Sequence, residues 1–309
     1  MSTCVPQVLM GANFTTYRIG GPLEEAYQPT TEAELVGILK DVHRSGKPLT
    51  VLGWGGNSII ASQGISGITV ITRKLDWVEV KSPTRIAFGA GVHLAKSASV
   101  ALKHSLTGGE YMIGIPGTIG GAVRMNAGAL GQETSDVVCS VNLFNLETGE
   151  VETWLPEQLG FRYRWSEINP AKHIVLSAEL EFQPGDAAKI SDMMEQSVSF
   201  RKTHHPKEPN GGSVFKNPSK DMPTGRLMEE LGAKGQWREG GVMVSPLHGN
   251  FIINIDNGTS TDVLRLMQRM KRAIHETYGL DAHPENLFLG DATGEEQAIW
   301  QELTHGVSH

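Results

Sequence analysis

A chain of 309 residues, 39% hydrophobic and 20% charged, has the make-up of an ordinary globular protein and is long enough for two or three domains. Its formal net charge of −7 argues against broad, sequence-independent nucleic-acid binding, which depends on Lys and Arg neutralising phosphates, yet leaves room for a local basic site. Cys4 and Cys139 are its only cysteines, too few for a disulfide framework or a Cys-based zinc site, and no apolar stretch is long enough to span a bilayer. The opening MSTCVPQVLMGANF lacks a basic n-region and has only a broken apolar run. No signal peptide is therefore expected, and the chain is read as a soluble, cytoplasmic enzyme.

In chain order, Thr31 to Lys47 predicts a helix, with Thr31 and Glu34 in a capping-box pattern and Leu35, Ile38, Leu39 and Val42 on one face. PLTVLGWGGNS and GISGITVITR read as two strands joined by a loop, and DWVEVKS with TRIAFGAG as a hairpin turning at Ser82-Pro83. HLAKSASVALKHSL is helical in composition. Strands follow between Val137 and Phe182, then a polar helix to about Lys202. HHPKEPNGG, with prolines, glycines and no apolar residue, reads as a linker and places a domain boundary near residue 200. Beyond it SVFKN and GNFIINID read as strands and GRLMEELG as a short helix. A strong helix runs from Ser260 to Tyr278, with Val263, Leu266, Met267, Met270 and Ile274 on a core stripe and Gly279 as its stop. The residues after Gly290 are polar and read as a loosely held tail.

Two glycine clusters stand out. VLGWGGNSII, residues 51 to 60, follows a buried strand; such a loop presents backbone N–H groups to anionic oxygens, or is simply a tight turn. GIPGTIGGAVRMNAGALG, residues 114 to 131, fits neither the Walker loop nor the G-x-G-x-x-G spacing. Its glycines suggest backbone lying against a large or pyrophosphate-bearing ligand; close packing of neighbouring elements is the alternative. Two such loops in one half of the chain point towards a nucleotide cofactor.

Other motifs are weaker singly. FRYRWSE, residues 161 to 167, holds an arginine able to clamp a carboxylate or merely to stack on an aromatic ring. In GGSVFKNP, residues 211 to 218, Ser213 is not in a nucleophile elbow, and strand alternation would put Ser213 and Lys216 on opposite faces unless a turn intervenes. His283-Pro284-Glu285 could hold a carboxylate in a defined turn. No H-E-x-x-H pattern occurs, so no metal is expected.

Taken in order, these pieces resemble the UDP-N-acetylenolpyruvoylglucosamine reductase family, from NFTTYRIGGP at residue 13 to PENLFLG at 290. The glycine loops resemble the family's two flavin loops, FRYRWS its F-x-Y-R-x-S, and GGSVFKNP its G-S-x-F-K-N-P. Arg164 and Ser213 are 49 positions apart (213 − 164), similar to the subtype lacking a tyrosine-bearing insertion. Arg124, Trp54 and Gly56, GGVMVS at 240 to 245, and Asp281-Ala282-His283 depart from the usual pattern.

The resemblance implies an α+β chain: a two-subdomain FAD-binding fold of the PCMH and vanillyl-alcohol-oxidase kind (residues 1–72 and 73–200), then an α/β substrate-binding domain (201–290) and a polar tail (291–309). Its last segment would return to the flavin region. The implied activity is NADPH-dependent, FAD-mediated reduction of UDP-N-acetylglucosamine enolpyruvate to UDP-N-acetylmuramate for bacterial wall synthesis, by a monomer. The implied FAD contacts are Gly53, Gly55, Gly56, Asn57 and Ser58 in the first loop. In the second they are Ile115, Pro116, Gly117, Thr118, Gly120, Gly121, Asn126, Ala127 and Gly128. Arg164 and Glu285 would stabilise the enolic intermediate, Ser213 would protonate it, and Lys216 and Asn217 would hold the nucleotide. Two other readings stay open at this point: an FAD-dependent oxidase of the same fold, and a nucleotide-binding protein without catalysis.

Overall fold

The computed structural model describes residues 4–219 and 221–305. Contacts divide the chain into two units. The first comprises residues 1–7, 25–54 and 67–201, and the second residues 8–24, 55–66 and 202–309. The chain thus passes from one unit to the other five times, after Gln7, Glu24, Trp54, Ser66 and Arg201.

The first unit begins with helix α1 (Glu32–Ser45). Thr31 caps it by accepting from the Glu34 N–H, while the Glu34 carboxylate reaches back to the N–H and hydroxyl of Thr30, one residue short of a reciprocal box. Leu35, Ile38, Leu39 and Val42 are buried as their spacing demands, in a cluster with Ile68, Val70, Phe144, Ile174 and Leu176. Leu49–Leu52 and Ile65–Ile71 pair in parallel, Leu49 opposite Ile68. The rest of the unit is built on a five-stranded antiparallel sheet. Its order is Glu150–Trp154, Val138–Asn145, His173–Glu181, Arg85–Gly89 and Val78–Val80. Helices α2 (Leu94–Lys103) and α3 (Ile119–Met125) bury apolar residues in the larger core beside this sheet. The short α4 (Pro156–Leu159) and the long α5 (Ala187–His204) complete the series.

The second unit carries an antiparallel sheet in the order Asn210–Ser213, Phe251–Asn254, Val242–Val244, Arg238–Glu239, with helix α6 (Thr224–Glu230) and helix α7 (Ser260–Tyr278). Thr259 and Asp262 form a complete capping box, and Gly279 ends α7 in the left-handed region at φ +67°. The stripe Val263, Leu266, Met267, Met270 and Ile274 is fully buried. Those side chains contribute on the order of 10 kcal/mol before chain entropy is subtracted.

Two expectations need correction. The segment read as a linker ends in a strand, Asn210–Ser213, because Gly211 lies flat against the Tyr17 ring, where a Cβ could not fit. The polar residues after Gly290 are not loosely held: Gly294–His305 form helix α8, with Ile299 and Leu303 buried in the core of this unit. The buried Glu296 carboxylate accepts from Ser260 Oγ at 2.5 Å, Thr261 Oγ1 at 3.1 Å and the Thr293 N–H at 3.0 Å, which is why a charged residue can anchor the helix. Residues 306–309 lie outside the described residues.

Candidate active site

In the first unit the strand Leu49–Leu52 delivers Gly53 against the second glycine loop. A Cβ on Gly53 would come within 2.5 Å of Thr118 Oγ1, so this glycine is required by loop-on-loop packing. The second loop is itself sewn to the chain before α2. Ile119 N–H donates to Val92 O at 2.9 Å, Gly120 N–H to Ala90 O at 2.9 Å, and Leu94 N–H to Gly117 O at 3.0 Å. Gly120 faces Ala90 closely, and Gly128 lies under the Gln132 carbonyl in the hairpin Gly128–Ala129/Gln132–Glu133.

Gly117 and Gly121 differ from these. A Cβ on either would meet nothing nearer than Leu94 Cδ1 at 3.8 Å or Thr118 Oγ1 at 3.7 Å. Protein packing does not demand glycine there. Their bare backbone is the surface that a flat or diphosphate-bearing group can approach, and it fits a dinucleotide cofactor. Arg124 follows Gly121 by three residues in α3, so the two share a face. Burial lowers the Arg124 pKa below the usual arginine value.

Asn126, expected to touch the flavin, caps α3 in the left-handed region at φ +44° and spends its amide on protein partners. Its Nδ2 donates to Glu133 Oε2 at 2.8 Å and to Arg162 O at 3.1 Å, and its Oδ1 accepts from the Ser135 N–H at 2.9 Å. It thereby braces the turn that carries Arg164. In that turn Arg162 and Trp165 exchange backbone hydrogen bonds of 3.1 and 3.0 Å, leaving Tyr163 and Arg164 at the tip. Ser166 Oγ adds a bond to Arg124 O at 2.6 Å.

Arg164 sits at φ +55°, a conformation that costs a non-glycine residue on the order of 1 kcal/mol and that tends to persist at functional sites. Its Nη2 donates to Gly128 O at 3.0 Å, and its guanidinium lies 5.0 Å from the Tyr163 ring centroid. Arg201, overlooked in the sequence, is electrostatically coupled to it. Burial, and then the like charge of Arg164, push the Arg201 guanidinium down to about 10. A buried guanidinium with a like charge acting on it is stabilised by an arriving anion.

In the second unit the remaining site residues gather on two antiparallel segments. Glu285 N–H donates to Val214 O at 2.8 Å, Lys216 N–H donates to His283 O at 2.9 Å, and Phe215 bridges Pro284. Ser213 and Glu285, 72 positions apart (285 − 213), are thus placed on neighbouring backbone. Gly55, at φ +67°, fits beneath the Phe14 carbonyl. Asn57, expected at the flavin, donates Nδ2 to Glu285 O at 2.8 Å, and Ser58–Ile60 pairs in parallel with Leu287–Leu289.

Asn286 is the hub that sequence reasoning missed. Buried, it donates Nδ2 to Asn57 Oδ1 and Gly211 O, both at 2.8 Å, and to Ser213 O at 3.3 Å, while its Oδ1 accepts from Tyr17 Oη at 3.2 Å. Asn250 plays the matching role for the other segment, exchanging side-chain bonds of 3.1 and 2.8 Å with the Phe215 backbone.

A cleft of about 250 Å³ opens beside these segments, lined by Ser213, Asn217, Arg226, Glu229 and His248 among others. Asn217 Oδ1 accepts the Thr224 N–H at 3.1 Å, so it also positions the start of α6. Lys216 does not line this cleft, in keeping with the alternation expected between it and Ser213. Burial lowers the His248 pKa, and His248 Nδ1 accepts the Asn250 N–H at 3.1 Å. The proton of the neutral ring is therefore on Nε2. Neither Arg226 nor His248 lies in a motif that announced it.

Bare backbone that a dinucleotide can approach in the first unit and, separately, Ser213 on a polar cleft in the second fit a cofactor-using protein. Residues 24–154 match the model of an FAD binding domain, which makes the class that of FAD-binding proteins. Residues 204–289 match the model described as UDP-N-acetylenolpyruvoylglucosamine reductase, C-terminal domain. The reductase of that name from Syntrophus aciditrophicus (strain SB) is 36% identical over 283 residues, 90% of this chain and 89% of its own. The one from Lactococcus lactis subsp. cremoris (strain MG1363) is 38% identical over 281 residues, 91% and 93% of the two chains. The crystal structure of UDP-N-acetylenolpyruvylglucosamine reductase from Thermus caldophilus is similar with a TM-score of 0.79 at 30% identity, over 92% of this chain and 99% of that one. This chain belongs to the UDP-N-acetylenolpyruvoylglucosamine reductase family. Among the described residues no helix is long and apolar enough to cross a membrane.

Proposed function

We propose that this protein reduces the enolpyruvyl group of UDP-N-acetylglucosamine enolpyruvate to give UDP-N-acetylmuramate, using NADPH as reductant. The observation that carries this reading is Ser213, a hydroxyl on a polar cleft with Glu285 on the adjacent backbone segment. FAD, when bound along the backbone of Gly117 and Gly121, supplies the two-electron carrier between NADPH and the enolpyruvyl carbon.

The chain's own residues do the rest. Arg164, with Arg201 coupled to it, offers fixed positive charge to the substrate carboxylate as negative charge develops there. Ser213 holds the proton delivered to C2. A hydroxyl is a feeble acid in water, so it serves only a strongly basic carbon held within hydrogen-bond reach. Glu285 acts as a hydrogen-bonding partner of the same intermediate. Asn217 and Lys216 attend the nucleotide, Lys216 as a point charge. On this reading residues 1–200 form the flavin-binding part, in two subdomains meeting near residue 72. Residues 201–290 form the substrate part, and the protein acts as a cytoplasmic monomer.

The test is direct. The purified protein should show a yellow flavin spectrum and turn over NADPH catalytically only when the enolpyruvyl nucleotide is present, since without it NADPH is spent on the bound flavin alone. Absence of flavin, or turnover indifferent to that substrate, defeats the reading. Rapid oxidation by oxygen instead would favour a flavin oxidase.

A further inference from the structure

Arg73 lies in the short 3-10 turn Thr72–Lys74, directly after the strand Ile65–Ile71. Its guanidinium donates from Nε to Gly53 O at 3.2 Å and from Nη2 to Trp54 O at 2.8 Å. It also lies 4.6 Å from the centroid of the Trp54 ring, and that ring meets His93 edge-on at 5.0 Å. A single cation therefore holds two consecutive loop carbonyls and the side chain between them. Arg85, Arg265 and Arg272 instead sit on glutamates at the surface.

A trans peptide is planar, with its C=O and N–H on opposite sides. Turning the Gly53 and Trp54 carbonyls towards Arg73 turns the N–H groups of Trp54 and of the next residue the other way. Successive N–H groups presented together make an anion-binding nest. A cation on each carbonyl also polarises the peptide and strengthens the N–H on its far side. Thr118 packed against Gly53 leaves the loop little freedom to rotate out of this arrangement.

We infer that Arg73 is a positioning residue for the cofactor: it sets the peptide planes of the first glycine loop so that their N–H groups meet the diphosphate of FAD. The inference rests on the flavin reading above. Lysine replaces it only in part, since a point charge on a flexible stem does not span two carbonyls while stacking on an indole.

The experiment uses the full chain, stripped of flavin, as parent, Arg73→Met and Arg73→Lys. Each is titrated with FAD and with riboflavin, which lacks the diphosphate, and each apo form is melted. Arg73→Met should bind FAD about ten-fold or more weakly, Arg73→Lys should recover only part of the loss, and riboflavin affinity should change by no more than about two-fold. The apo melting temperatures should stay together. FAD affinity within about two-fold of the parent overturns the inference, as does an equal loss for riboflavin and FAD, which would mark a collapsed loop. A parent that binds riboflavin and FAD equally overturns it too. A parent that binds neither removes the flavin reading itself, and the inference with it.

Discussion

Asn57 and Asn286 are joined side chain to side chain by a hydrogen bond of 2.8 Å, and through it the stretch that opens the strand Ser58–Ile60 is tied to the segment that carries Glu285. The same Asn286 amide reaches Gly211 O and Ser213 O, and its oxygen receives the Tyr17 hydroxyl. Burial raises the Tyr17 pKa far above the usual tyrosine value, so that hydroxyl stays protonated and remains a donor. Asn286→Leu leaves buried acceptors and a buried hydroxyl without their partner. It should cost about 2–3 kcal/mol of stability, measured by denaturant melts. Asn286→Asp should be at least as damaging, because it turns a donor into an acceptor facing carbonyl oxygens. A variant as stable as the parent would show that the network is not what holds these segments together.

Ser213→Ala should divide the two half-reactions. On the proposed reading, reduction of the flavin by NADPH takes no proton from Ser213 and should survive, whereas reoxidation by the enolpyruvyl nucleotide should slow by about 10²–10⁴-fold, the range for loss of a general acid. Stopped-flow absorbance of the flavin follows each step separately. Equal losses in both would remove the proton-donor role.

Much of this architecture was legible in local pattern. The α7 stripe, its Thr259 cap and its Gly279 stop are set by residues within one segment, and so are α1 and the sheet hairpins. What escaped depends on partners far away in sequence. Gly211 is glycine because of Tyr17, and Gly53 because of Thr118, so neither requirement shows in its own neighbourhood. Asn57 and Asn126 look alike as polar residues in glycine loops, and Asn286 is one more amide beside Glu285. Only the structure shows their amides engaged with the protein, bracing the backbone that presents Arg164 and Glu285. Helix α8 was missed because its anchor, Glu296, is a charged residue that becomes buriable only once Ser260, Thr261 and Thr293 are in place.

Glu296 also gives the fold an acid-sensitive joint. Burial raises its pKa, but the hydrogen bonds from Ser260, Thr293 and Ser62 outweigh that, and the net value is lowered below the usual 4.5. A carboxylate depressed in the folded state adds stability that is complete above its unfolded pKa and is lost as pH falls through the folded value. Stability of the parent should therefore decline below about pH 4.5 more steeply than that of Glu296→Gln, whose amide does not titrate. Melting temperatures between neutral pH and about pH 3.5 test this, and parallel curves for the two proteins would exclude it.

Lys271 supplies a last prediction, since it is a fully buried cation with each of its three donors used. Its Nζ reaches Asp281 Oδ1 at 2.5 Å, Ala282 O at 3.1 Å and Leu303 O at 3.1 Å. From the middle of α7 it therefore fastens both α8 and the stretch that leads to Glu285. Lys271→Met keeps the apolar stem but abandons two buried carbonyls, while Asp281 is partly exposed and recovers water. The cost should be about 2–3 kcal/mol, below that of breaking a pair buried on both sides. If the contact with Ala282 also sets the position of Glu285, the surviving folded fraction should lose turnover with the enolpyruvyl nucleotide while flavin reduction by NADPH proceeds normally. A variant that is less stable yet catalytically intact per folded molecule would assign Lys271 to stability alone.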